Sequence, residues 1–309
     1  MEKKKKNVQL RQIGVNKLTI KLTGADKVFY AAVNVFLILV LIIVFIPMWS
    51  TITLSFRPSA FIGSNLEGMF LAPWKWSVSA YRALLGNLGF INALVNSLKI
   101  FVYGVAAALF LTIPLAYVLS VKSLPGRKIL MVLVLIPYLF SVGLIPTYLV
   151  VNGLGLTNKL AAVFLPGAIG TYNCLIMYRF FEGIPDELKE SARIDGAAEW
   201  FLLLRIILPL SKPIIMTIGL YYGVGFWNDF FNAMLYITNN ALQPLPILLR
   251  NILMATGMNE FLEVNAFGDA PVQAIKAASV FMSAIPMLLA YPFIQKYFTK
   301  GTLLGSVKG

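Results

Sequence analysis

Six stretches of this chain are apolar enough to cross the hydrocarbon core of a bilayer, which takes about 20 mainly apolar residues in a helix. They run 28–54, 93–120, 129–151, 160–181, 202–226 and 275–298. Lipid offers no partner for main-chain N–H and C=O groups, so each stretch must fold as a helix. The expected fold class is all-α integral membrane, with six transmembrane helices. Prolines fall inside the stretches, at Pro47, Pro114, Pro137, Pro146, Pro209, Pro213, Pro286 and Pro292. Each removes a helix hydrogen bond, and neighbouring helices must satisfy the carbonyls so freed, which implies a packed, kinked bundle.

Composition agrees: 59% of the residues are hydrophobic and the mean hydropathy is +0.79, against an apolar share of roughly 45–50% in soluble domains. The net charge of +13 does not mark a nucleic-acid surface, because the basic residues cluster at the ends of apolar stretches. That pattern sets membrane orientation. Lys3 to Lys6 and Lys17, Lys21 and Lys27 precede the first span; Lys122, Arg127 and Lys128 follow the second; Arg179, Lys189, Arg193 and Arg205 surround the fourth connection. Both termini and residues 185–209 are therefore expected in the cytoplasm of a multi-pass protein. The first span reads as an uncleaved anchor, since it exceeds a signal peptide's apolar region and no small-residue cleavage site follows.

The chain has no histidine and a single cysteine, Cys174. Ser-His-Asp and Cys-His catalysis, His-ligated zinc and an intrachain disulfide are thereby excluded. Carboxylates are not paired within the spans, which argues against an intramembrane enzyme, and no metal site is expected.

The expected organisation is a lysine-rich cytoplasmic arm (1–27), a first transmembrane helix (28–54), an outer connection (55–92), a core of five transmembrane helices (93–298) and a cytoplasmic tail (299–309). The connections 55–92 and 227–274 carry aromatics, prolines and asparagines in a composition typical of folded segments. Packing on the bundle and contact with a partner remain open for both.

One segment conflicts with its surroundings: IPDELKESARIDGAAEWF, from residue 184. Pro185 fits a first helical position, and Asp186 and Glu187 suit the positive end of a helix dipole, so a short helix over about 185–195 is expected. Gly196 breaks it, and a second helix resumes at Ala197. Leu188, Ala192 and Asp195 share one face and Glu187, Glu190 and Arg193 another. Such an element suits docking into a groove of a soluble partner or serves as an interfacial connector.

Glu190, Ala192, Gly196, Ile206, Leu208 and Pro209 stand at the spacing of the EAA motif of binding-protein-dependent ABC importer permeases, with Ser191 in place of the middle alanine. With RIILPLSKP, YPFIQKYFTKGTLLGSVKG and GLIPTYLVVNGLGL, the chain resembles carbohydrate permeases of the maltose-permease G-subunit kind. It is most similar to the LplC/YtcP-like subgroup, which includes permeases for complex oligosaccharides. The likeness covers nearly the whole chain after the lysine-rich arm. It implies a type I ABC importer permease fold in a bacterial plasma membrane, with 185–209 as the coupling segment seated in a partner ATPase. Glu190 would make the polar contact, Ala192 and Gly196 would allow close approach, which the small Ser191 leaves possible, and Asp195 would hold the loop; Ala197 belongs to the same segment. The tail residues Gly305, Val307, Lys308 and Gly309 would reach the ATPases. The implied partners are a second, homologous permease subunit, two ATP-binding subunits, an extracytoplasmic sugar-binding protein and membrane lipid, with no nucleic acid. The chain lacks a G-x-x-x-x-G-K-[ST] loop, so ATP and magnesium belong to the partner ATPases and this subunit binds no cofactor of its own.

Sugar sites combine aromatic faces with amides and carboxylates. On a continuous fifth helix Tyr221, Gly225, Asn228 and Asn232 would share one face and Tyr222, Phe226 and Asp229 the next. Together with Trp227, and with Tyr172 and Asn173 of the fourth span, these residues are the candidate substrate path. Interfacial anchoring explains the Tyr and Trp residues equally well. Gly219 and Gly223 read as a helix-packing pair. Lys99, near Asn96, needs no substrate to explain it, since lysine snorkels to the membrane surface. The function expected is half of the membrane channel of an ATP-driven oligosaccharide importer. The alternatives are an EAA permease for another solute, an ion-coupled transporter, which would be expected to carry intramembrane charges or inverted repeats, and a non-transporting scaffold.

Overall fold

A computed structural model describes residues 23–58, 67–68, 71–140, 142–254 and 270–305, with the backbone alone given for 293–305. All regular elements among the described residues are helices. The lysine-rich arm up to residue 22, and the tail residues Val307, Lys308 and Gly309, lie outside the described residues.

Helix α1 (Gly24–Ser55) contains Pro47 without a break. The chain divides within it, after Ser50. Up to that point the helix exposes apolar side chains around its whole circumference, Phe29, Leu37 and Ile43 among them. A helix apolar on every side requires lipid or another membrane helix as its surroundings.

The remainder comprises α2 (Ser79–Gly86), α3 (Leu88–Ser120), α4 (Arg127–Leu139), α5 (Leu144–Gly153), α6 (Ala161–Gly167), α7 (Thr171–Glu182), α8 (Asp186–Ile194), α9 (Glu199–Leu210), α10 (Lys212–Trp227), α11 (Phe230–Tyr236), α12 (Leu245–Met254) and α13 (Val272–Gly305). Three of the six expected spans are not continuous. The α4–α5 pair bends by 114°, α6–α7 by 52° and α9–α10 by 83°. Three helices are long and apolar enough to cross a membrane alone, and six spans result if each bent pair is counted as one. Two of the breaks coincide with missing donors: Pro166 lies in the last turn of α6, and Pro209 and Pro213 flank Ser211 at the third bend. A π-helical turn, Leu203–Ile207, precedes that bend and loosens the helix further.

Helix α3 is the centre of the bundle, packing on α7 and α10, while α10 also packs on α13. Small residues make this possible. Gly104, Ala108, Thr112 and Ala116, four apart, form a buried stripe along α3. A Cβ on Gly104 would lie 2.7 Å from Phe226 and 3.0 Å from Phe164. Gly223 of α10 faces Phe101 in the same way, at 2.6 Å, and Gly219 faces Leu109 at 3.4 Å. The Gly219/Gly223 pair thus packs α10 onto α3, as small residues do between membrane helices.

Both long connections are folded where described. Ser55 Oγ lies 2.5 Å from the Tyr81 hydroxyl, Phe56 stacks on Trp76, and α11 and α12 lie in the second connection. Asn96, which the sequence places near Lys99 at the start of a span, is buried and donates to the carbonyls of Ala241 (2.9 Å) and Gln243 (3.3 Å).

Candidate functional site

Two regions hold the residues singled out by the sequence: α8 with its turn, and a cleft beside α10.

Helix α8 begins after Pro185 and ends in a turn that glycine makes possible. Gly196 has φ +80, a backbone region that costs other L-residues roughly 1–2 kcal/mol. Its N–H donates to Arg193 O, and the N–H of Ala197 donates to Ala192 O, both at 3.0 Å. These are the paired bonds of a Schellman motif. They return the chain into α9, and Ile206 and Leu208 at the end of the segment pack against the core while Pro209 stays exposed at the bend.

The helix is two-sided. Ala192 and Lys189 are buried toward the bundle, and Glu187, Leu188, Glu190, Ser191, Ile194, Asp195 and Gly196 are exposed. Ile194 is 86% exposed, far more than an isoleucine in a finished interior. The expectation that Ala192 provides close approach to a partner needs correction. Its methyl group packs inside this chain's own core, and the outward small residue is Ser191. Nor does the Asp195 carboxylate hold the loop: the main-chain bonds do, with an ion pair between Arg193 Nε and Glu199 Oε1 at 2.9 Å.

Charged residues tie both ends of α8 to the bundle. Asp186 accepts from Lys122 (2.9 Å) and Lys189 (3.2 Å), and Lys189 also donates to Phe181 O at 3.3 Å. Donation from Lys122, then from Lys189, holds the Asp186 carboxyl below its ordinary value, and Lys122 is raised in return. At the other end Glu199 receives both Arg193 and the Tyr117 hydroxyl, the latter at 2.5 Å. Bonding to Glu199 raises the Arg193 guanidinium further. A polar pocket of about 250 Å³, lined by Ser120, Ser123 and Glu190 among others, lies between the two ties. Tyr117 and Glu199 went unrecognised in the sequence, where neither stands in a motif and 82 positions separate them.

The second region is a cleft of about 1020 Å³. It gathers Tyr172, Asn173, Tyr221, Trp227 and Asn228 and adds Ser283 and Tyr291 from α13. The α13 residues carry no local signal of their own, because their role depends on α13 packing against α10. Tyr221 is 44% exposed, whereas Tyr222 is 5% exposed and turned inward. The continuous polar stripe expected on the fifth span is corrected here: α10 ends at Trp227, with Asn228 beyond it, and Asp229 begins a new helix. Asp229 accepts from the Asn232 main-chain N–H (3.0 Å) and side-chain amide (2.7 Å), so these two residues cap α11 rather than line the cleft. Trp227 is itself anchored, donating from Nε1 to Ser283 O at 3.1 Å. Among the described residues no group of carboxylates and cysteine suits a metal ion, and Cys174 is buried.

The chain is 41% identical to Protein LplC of Bacillus subtilis (strain 168) over 94% of its length and 98% of the relative's. It is 40% identical to the polygalacturonan/rhamnogalacturonan transport system permease protein YtcP of the same organism, over 92% and 99%. Its fold matches a chain from the crystal structure of a bacterial ABC transporter involved in the import of the acidic polysaccharide alginate. There the TM-score is 0.82 at 28% identity, covering 91% of this chain and all of that one. The family described as binding-protein-dependent transport system inner membrane component matches residues 88–303, the part of the chain that contains the bundle core, α8 and the cleft, and the chain belongs to that family.

Proposed function

We propose that this chain is one of two homologous permease subunits that form the channel of an ATP-driven importer for an oligosaccharide. Membership of a binding-protein-dependent family implies an external solute-binding protein and an ATP-hydrolysing partner. The observation that carries the reading is the two-sidedness of α8. Ala192 and Lys189 fix it to the bundle while Glu187, Leu188, Ser191 and Ile194 face away from it, the arrangement of a helix seated in another protein's groove. Glu190, exposed beside that face, makes the polar contact with the partner.

The positive charge before the first span and after the second supports a cytoplasmic side for both termini and α8; in this reading each bent pair crosses once and the cleft faces the channel. The polysaccharides named for YtcP and for the alginate transporter, and a cleft of tyrosines with amides, support a sugar as the solute.

The test is co-purification of the whole importer. Ser191→Arg and Ile194→Asp are expected to insert normally and to lose the ATPase and ATP-driven uptake. Retention of both at wild-type levels overturns the docking reading. Uptake of oligogalacturonide, alginate oligosaccharide and arabino-oligosaccharide by the wild type, scored in parallel, identifies the solute class.

A further inference from the structure

The covalent connections of α8 lead to α7 and α9, and so do Lys189, on Phe181 O, and Arg193, on Glu199, but its polar ties also reach the end of α3. Asp186, at its start, reaches Lys122, just beyond the last turn of α3. Arg193, at its end, holds Glu199, and Glu199 accepts from Tyr117 in that last turn. A third set of bonds converges on the same place. Arg127 donates from Nε to Leu119 O (2.7 Å) and from Nη2 to Glu182 (2.6 Å) and Tyr178 (2.8 Å), joining the start of α4 and the end of α7 to the end of α3.

From there α3 runs unbroken through the core. Its buried stripe meets α10 at Thr112, which lies 2.8 Å from the Tyr222 hydroxyl, and that hydroxyl accepts from Gly170 N, at the start of α7, at 2.8 Å. Tyr172, Asn173 and Tyr221, on the same two helices, line the cleft. An uninterrupted line of packed and hydrogen-bonded groups therefore joins the ends of α8 to the cleft walls. Covalent transmission through α9 instead passes a π-helical turn and an 83° change of direction at Ser211 before it reaches α10.

We infer that α3, besides the helices flanking α8 in sequence, receives the movement of α8. Asp186, Lys122, Arg193, Glu199 and Tyr117 are the positioning residues that clamp α8 to it at both ends. The inference rests on the docking reading above. The ties are polar and partly exposed, so removing them leaves the apolar bundle, and the packing of Ala192 within it, intact.

The experiment uses the whole importer with its binding protein, in a Cys174→Ser background carrying Val224→Cys in the cleft as reporter. The labelling rate by a membrane-impermeant maleimide is compared with and without Mg-ATP and vanadate, and ATP hydrolysis is measured on the same sample. The unmodified clamp is expected to change the labelling rate about fivefold on nucleotide trapping. Glu199→Gln combined with Asp186→Asn is expected to abolish that change while hydrolysis persists. The swap Arg193→Glu with Glu199→Arg restores the change where either single variant lacks it. A nucleotide-dependent change that survives Glu199→Gln/Asp186→Asn overturns the inference, as does a swap no better than its singles. Ser191→Arg in the same assay separates the two readings. If it keeps the ATPase bound and the change intact, docking through α8 is wrong. If it releases the ATPase while the clamp variants behave as wild type, docking stands and the clamp falls.

Discussion

Tyr222 and Thr112 face each other across the α10–α3 interface with their hydroxyl oxygens 2.8 Å apart, and the same tyrosine oxygen caps the N–H of Gly170 at 2.8 Å. Both side chains are buried, so this bond is made where water cannot replace it. One residue earlier, Tyr221 points into the cleft. Adjacent tyrosines thus have different tasks, and their substitutions separate.

Tyr222→Phe leaves the Gly170 N–H and the Thr112 hydroxyl without their partner, which costs about 1–3 kcal/mol. A lower unfolding temperature of the purified importer is expected. Tyr221→Ala is expected to leave that temperature within the error of the measurement and to weaken uptake through KM. Equal unfolding temperatures for Tyr222→Phe and wild type would contradict this assignment.

Gly104→Val places a side chain where Phe226 and Phe164 already stand, at 2.7 and 3.0 Å from a Cβ. Overpacking of this kind costs about 1–3 kcal/mol. Gly219→Ala, with its nearest neighbour at 3.4 Å, makes ordinary van der Waals contact and should be silent. Thermal unfolding in detergent, monitored by loss of monodisperse complex, distinguishes the two.

At Gly196 the constraint is conformational, because no atom lies within 4 Å of a built Cβ while φ is +80. Gly196→Asn, which tolerates the left-handed region, should retain most ATP-driven uptake. Gly196→Val should lose it, since strain of about 1–2 kcal/mol or more falls on the turn that orients α8. A bulk effect would instead treat the two alike, and uptake assays on both decide between them.

The ties at α8 do not titrate near neutrality. The Asp186 carboxyl is held below its ordinary 3.8, so its contribution is complete above that value and disappears as pH falls through the lower folded value. Lys122 is raised above 10.5, so its contribution is complete below that value and is lost as pH rises through the higher folded value. The chain contributes no histidine. The ratio of coupling in wild type to that in Asp186→Asn should therefore stay constant from about pH 6 to 9. A ratio that drifts across this range would show that another group controls the tie.

The amino-acid sequence determined the class of fold and the chemistry available to it. Runs of apolar residues must be helical in lipid, the pattern from Glu190 to Pro209 marks the family, and a glycine after Asp195 ends a short helix because a left-handed residue is needed there. Those are local properties, written in a few neighbouring residues. Three things depended on residues far apart. Prolines announced kinks, but Pro47, Pro114, Pro286 and Pro292 lie inside continuous helices and the 52° bend falls in a span where none was announced, since the angle depends on what the two halves can bury. Helical spacing gave Tyr221 and Tyr222 different faces, but which face meets α3 was decided by Gly223 admitting Phe101. The bond from Tyr117 to Glu199 joins positions with no shared pattern in the chain. It exists because the bundle brings the end of α3 beneath α8, and proximity created by tertiary packing leaves no trace in the spacing of either residue.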